Sequence, residues 1–95
     1  WLLQAFTREL RVNTVNPRPE PVGNSYELWM LQDNAAPVSL GLIPGVGNAV
    51  LPLSAAQLGV LAQTMTLAVS LEPAGGSPTG LPTGPVIFTA PLVRI

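Results

Sequence analysis

Two carboxylates lie in strand-like surroundings, Glu27 in "SYELWML" and Glu72 in "MTLAVSLE", and a pair of acids that face each other can share general acid and base work in hydrolysis. Little else in the chain can join them. It has no histidine, cysteine or lysine, which removes the common ligands of transition metals and the imidazole or amine base that a serine or threonine nucleophile needs. Asp33 and Asn34 offer oxygens to a calcium ion, but without the spaced cluster of acids that calcium loops use. The residues therefore predict no metal, no cofactor and no catalytic group, with each carboxylate accepting backbone hydrogen bonds or pairing with an arginine.

The stretch "SLEPAGGSPTGLPTGPVIF", residues 70–88, tests the next chemistry. A phosphate-binding loop needs glycines that open a helix, and the Walker form needs a lysine followed by serine or threonine. Here the glycines run through Pro78, Pro82 and Pro85 into an apolar, strand-like segment. Gly75 and Gly76 suit a turn with positive φ, and Ser77, Thr79 and Thr83 can satisfy loop backbone groups. Turn chemistry explains the composition. It does not explain a loop of about fourteen residues, a length at which ordered loops are often functional.

The elements that must position these residues are short strands separated by turn signals, the pattern of an antiparallel β-sandwich of Greek-key or immunoglobulin-like form. "WLLQAF" (1–6) and "LRVNTV" (10–15) read as a hairpin, and the proline-charge alternation of "NPRPEPVGN" (16–24) as an extended crossing loop. "SYELWML" (25–31) places Tyr26, Leu28 and Met30 on one face and Glu27, Trp29 and Leu31 on the other. Large groups on both faces imply a central strand, or one partly roofed by a loop. A turn at Asp33 and Asn34 leads to "VSLGLI" (38–43), with Val38, Leu40 and Leu42 inward, and "NAVLPL" (48–53) is held to an edge by Pro52. Ser54 and Gln57 form a capping box for a helix over residues 55–63, stapled by Leu53 and Leu58 and packed through Leu58, Leu61 and Ala62. "MTLAVSLE" (65–72) sends Met65, Leu67, Val69 and Leu71 to the core, and "VIFTAPLV" (86–93) closes the domain.

At 95 residues the chain has room for one domain, residues 1–95. A net charge of -1 leaves no basic stripe for a polyanion, which excludes phosphate-driven nucleic acid binding. The apolar run from Ala35 to Ala62 is broken by Pro37, Pro44 and Pro52, whereas a membrane span needs about 20 continuous apolar residues. An anchor is expected outside these residues. The opening at Trp1, within a strand-like segment, reads as the start of a piece of a longer protein. Such a piece can lack its first strand, leave an edge unpaired, and so form a homodimer by strand pairing.

"YELWML", "APVSLGLI" and "LAVSLEPAGGSPTGLPTGPVIFTA" closely resemble the extracytoplasmic C-terminal domain of the anti-sigma-K factor family, most strongly over Tyr26 to Leu42 and Leu67 to Leu92. Ala90 departs from the glycine expected after "FT". The resemblance implies a noncatalytic sensory domain on the periplasmic side of a single-pass inner-membrane protein. It also implies a sigma factor bound by a separate cytoplasmic domain, a membrane anchor upstream of residue 1, and sigma release through stepwise proteolysis by a protease partner. On this reading Tyr26, Glu27, Trp29 and Glu72 join the loop from Pro73 to Pro85 in a contact surface that includes Gly75, Gly76, Ser77, Thr79, Gly80, Pro82, Thr83 and Gly84. The alternative is a small exported carbohydrate-binding module or a carboxylate-based hydrolase.

Overall fold

The computed structural model of the chain describes residues 1–6, 8–32, 35–62, 66–91 and 93–94. In chain order its elements are β1 (Leu2–Ala5), β2 (Glu9–Asn13), β3 (Asn24–Gln32), β4 (Ala35–Ile43), β5 (Asn48–Pro52), α1 (Ala55–Leu61), β6 (Thr66–Pro73), β7 (Val86–Pro91) and β8 (Val93–Arg94). The strands form two four-stranded sheets, ordered β5-β2-β1-β8 and β4-β3-β6-β7. All neighbours are antiparallel except β1 and β8, which run parallel. The fold is the expected all-β sandwich, and its strand order is immunoglobulin-like. Taking β1 to β7 as strands A, B, C, C′, E, F and G reproduces the neighbour order A-B-E in one sheet and C′-C-F-G in the other.

Period-two alternation builds the core between the sheets. Leu3, Leu10 and Val12 face Tyr26, Leu28, Met30, Leu67 and Val69 across it, with Leu40, Ile43 and Leu61 completing the cluster. Each large apolar side chain buried this fully contributes about 1.5–3 kcal/mol. Both edge strands of the first sheet are short. β5 ends at Pro52, as expected of an edge, and β8 is two residues long, while β1 has a neighbour on each side.

The helix follows its local signals. Ser54 Oγ accepts from Gln57 N at 3.1 Å, and Gln57 Oε1 accepts from Ser54 N at 2.9 Å, closing the capping box. The helix is shorter than expected, ending at Leu61 with Ala62 as its C-cap; Leu61 is buried and Ala62 exposed. A second correction concerns β4. Leu42 is exposed and Ile43 is buried, because the register jumps between Leu28 opposite Gly41 and Trp29 opposite Ser39, leaving Leu40 as an extra residue. This bulge reverses the alternation downstream, and Gly41 absorbs the kink at φ +104. The turn at Asp33 and Asn34, the helical residue 63 and the inward Met65 lie outside the described residues.

Candidate functional site

Glu27 and Trp29 point away from the core, on the outer face of the β4-β3-β6-β7 sheet. The register carries this face across to β6, with Glu27 opposite Ser70, Trp29 opposite Ala68 and Ser25 opposite Glu72. The two carboxylates are therefore diagonal neighbours on one face. An outer face is ordinarily wet, yet Trp29, Ser70 and Glu72 are completely buried and Glu27 is only 7% exposed. Residues 74–85 fold back over them.

The carboxylates hold this strap down from both ends. Near its start Ser77 N donates to Glu27 Oε1 at 2.6 Å, while Ser39 Oγ donates to the other oxygen at 2.5 Å. Near its end Thr83 N, Thr83 Oγ1 and Gly84 N all donate to Glu72, at 2.5–3.3 Å. Beneath the strap Trp29 Nε1 donates to Ser70 Oγ at 2.8 Å, and Ser70 Oγ donates to Glu72 Oε2 at 2.5 Å. Ser77 Oγ and Thr79 Oγ1 also donate to the Leu81 carbonyl within the strap, as their short side chains predict.

Two glycines let the strap lie this close. A Cβ on Gly76, at φ +106, would meet Glu27 Oε1 at 3.0 Å and Leu42 Cδ2 at 3.2 Å. One on Gly84 would fall 1.7 Å from the Leu71 carbonyl oxygen, inside any permitted contact. The carboxylates and the glycines thus serve one purpose, which is to seat a long loop on a sheet.

Burial pushes the Glu72 carboxyl toward a higher pKa, but the donors from Ser70, Thr83 and Gly84 outweigh it and hold the group below its ordinary value of 4.5. Glu72 is ionised at neutral pH. Its charge is met by aligned donors, and the one ion pair among the described residues lies elsewhere, between Arg11 and Glu9. A general acid needs its pKa raised, and a nucleophile needs free lone pairs within reach of substrate. Glu72 has the opposite properties, so the geometry suits anchoring.

The sequence-predicted surface is therefore divided. Tyr26 points into the core, 2% exposed, with its ring against Trp1 at 5.0 Å and its hydroxyl donating to the Pro19 carbonyl at 3.2 Å. Glu27, Trp29 and Glu72 are brought together but covered. The exposed members are Pro73, Gly75, Thr79, Gly80 and Thr83 with Pro85, while Gly76, Ser77, Pro82 and Gly84 are half-buried. Sequence reasoning missed Ser39 and Ser70. Ser70 was recoverable from alternation, which puts it on the same face as Glu72; Ser39 was not, because its partner Glu27 comes from a neighbouring strand through an unannounced bulge.

A family model described as "Anti-sigma-K factor rskA, C-terminal" matches residues 1–86, a stretch that contains both carboxylates and the whole strap. The chain belongs to the anti-sigma-K factor C-terminal family. No curated protein and no solved structure matches it. Membership in the anti-sigma-K family makes the chain a regulatory domain of an anti-sigma factor, with a sigma factor as partner of the parent protein. The family is regulatory in kind and membrane-associated in general. Among the described residues no helix is long and apolar enough to cross a membrane.

Proposed function

We propose that this domain is the noncatalytic sensory part, on the extracytoplasmic side, of a single-pass membrane anti-sigma factor. In this reading the folded domain shields the membrane-proximal linker from a protease. A ligand, a partner or self-association at the domain shifts that protection, and stepwise proteolysis then frees the sigma factor. The match of residues 1–86 to the anti-sigma-K family carries the reading. The strap supports it, because the two carboxylates are committed to holding residues 74–85 and what reaches solvent is a stiff, uncharged crest around Thr79, Gly80 and Leu81. That crest, backed by Glu27, Trp29 and Glu72 from beneath, is the proposed contact surface.

A sigma-dependent reporter in cells tests this, comparing the full-length parent with a version that lacks these 95 residues and keeps its anchor. A reporter raised or locked by the deletion supports control of release. An unchanged reporter rejects it. Limited proteolysis of the same pair separates the shielding mechanism from control in general, since shielding requires the linker to be cut faster once the domain is gone.

A further inference from the structure

The immunoglobulin-like strand order gathers three connections at one end of the sandwich, residues 14–23, 44–47 and 74–85. These correspond in position to the B–C, C′-side and F–G loops that form the binding end of variable domains. Here the first two are bonded into a single surface. Thr14 N donates to the Gly47 carbonyl at 3.2 Å and to Asn48 Oδ1 at 3.2 Å, and Arg18 N donates to the Gly45 carbonyl at 2.7 Å. Gly45 N donates to Glu20 Oε1 at 3.1 Å, and Trp1 Nε1 donates to the Pro44 carbonyl at 2.8 Å. Ala74 N donates to the Gly23 carbonyl at 2.9 Å, which ties in the start of the strap.

Much of this backbone is spent on bonds between the loops, and the side chains turned outward include three valines alongside Asn16, Arg18 and Glu20. Val22 is 103% exposed, Val15 64% and Val46 54%. In the same loop Arg18 is exposed and outside the one ion pair of the described residues, while the exposed Glu20 gives one carboxylate oxygen to Gly45 N. The aromatic rings at this end, Trp1 and Tyr26, pack on each other and are not offered as a platform for sugars. We propose that residues 14–23 and 44–47 form a docking face for a polypeptide that presents an apolar side chain beside a carboxylate. The valines supply the apolar contact, and the planar guanidinium of Arg18 takes a carboxylate with two parallel bonds. Pro17, Pro19 and Pro21 with the cross-loop bonds fix the face beforehand, so binding costs little ordering of the loops. The proposal goes beyond the sensory reading and does not depend on it.

The test is an amide-resolved NMR titration of the 15N-labelled chain with a capped decapeptide of alternating leucine and glutamate. The leucine–lysine and serine–glutamate peptides and vesicles of phosphatidylglycerol serve as comparisons. The expected result is shifts confined to residues 14–23 and 44–47 with the leucine–glutamate peptide. Val22→Ser and Val46→Ser should each weaken binding by roughly tenfold, Val50→Ser on the outer face of β5 should leave it unchanged, and Arg18→Glu should reverse the preference toward the lysine peptide. An unchanged Trp29 indole signal certifies the fold of each variant. Shifts elsewhere, no shifts, a preference untouched by Arg18→Glu, or stronger perturbation by vesicles than by peptide would each overturn the proposal.

Discussion

Residues 14–23 and 74–85 are two long connections at the same end of the sandwich, and different chemistry holds each. The first is tied mainly by its own backbone, through bonds to Gly45 and Gly47, and by three prolines that restrict it before it folds. Its one carboxylate anchor, Glu20, is exposed. The second gives up its backbone donors at Ser77, Thr83 and Gly84 to two buried carboxylates. A loop held by main-chain bonds is insensitive to charge, whereas the strap's donors hold the Glu72 carboxyl below its ordinary pKa and so grip it more firmly when it is ionised. The same fold thus carries one fixed face and one conditional face.

The sharpest test replaces one glycine in each region. A Cβ on Gly45 would sit 1.8 Å from the Arg18 carbonyl oxygen and one on Gly84 1.7 Å from that of Leu71, with backbone as the obstacle in both cases. Gly45→Ala and Gly84→Ala are each expected to cost about 3 kcal/mol in urea unfolding. If Gly84→Ala were tolerated, the strap would be looser than the first loop and the comparison would break in its favour as a moving part.

Exchanging the carboxylates separates the two regions. Glu72→Gln turns an amide toward donors that require an acceptor and is expected to cost about 2 kcal/mol, with faster amide exchange at Thr83 and Gly84. Glu20→Gln keeps an acceptor oxygen at an exposed site and should cost less than about 0.5 kcal/mol. Equal losses would contradict the division drawn here.

Acid should find the same seam more gently. The folded-state pKa of Glu72 lies below 4.5, so its stabilisation is complete above that value and is lost as pH falls through the lowered folded value. Amide exchange of residues 77–84 followed downward from pH 5 should therefore accelerate before that of residues 14–23, and Glu72→Gln should abolish the difference. The smallest effect is expected at the first loop's own stiffening. Pro17→Ala should cost about 0.5 kcal/mol, acting through the unfolded chain and leaving the strap's exchange unchanged.

What was legible in the sequence follows the range of the interactions involved. The capping box at Ser54 and Gln57 spans three positions and is found as read, as are the proline-stiffened crossing loop and the edge placement of Pro52. The outer-face roof over Trp29 was legible as one of two ways to cover a strand with bulk on both sides. The seating of the strap was not, because Ser77 reaches Glu27 across 50 positions and Thr83 reaches Glu72 across 11. Leu42 was misplaced for a different reason. A single extra residue at Leu40 carries no pattern of its own, and only pairing with β3 reveals it. Tyr26 and Glu27 were grouped as one surface, although adjacent strand residues point to opposite faces and only Glu27 shares a face with Trp29.

The parallel pairing of β1 with β8, Gln4 beside Val93 and Ala5 beside Arg94, bears on how the domain responds to mechanical load. A pull on the start of β1 and the end of β8 in opposite directions slides these strands along each other. The bonds between them are then loaded in shear and must fail together, whereas a peeling geometry would open them one at a time. Rupture under such tension is a matter of unfolding rate, not of equilibrium stability. Among the described residues the clamp has two register pairs, and once it yields, β1 keeps β2 as its partner in the sheet.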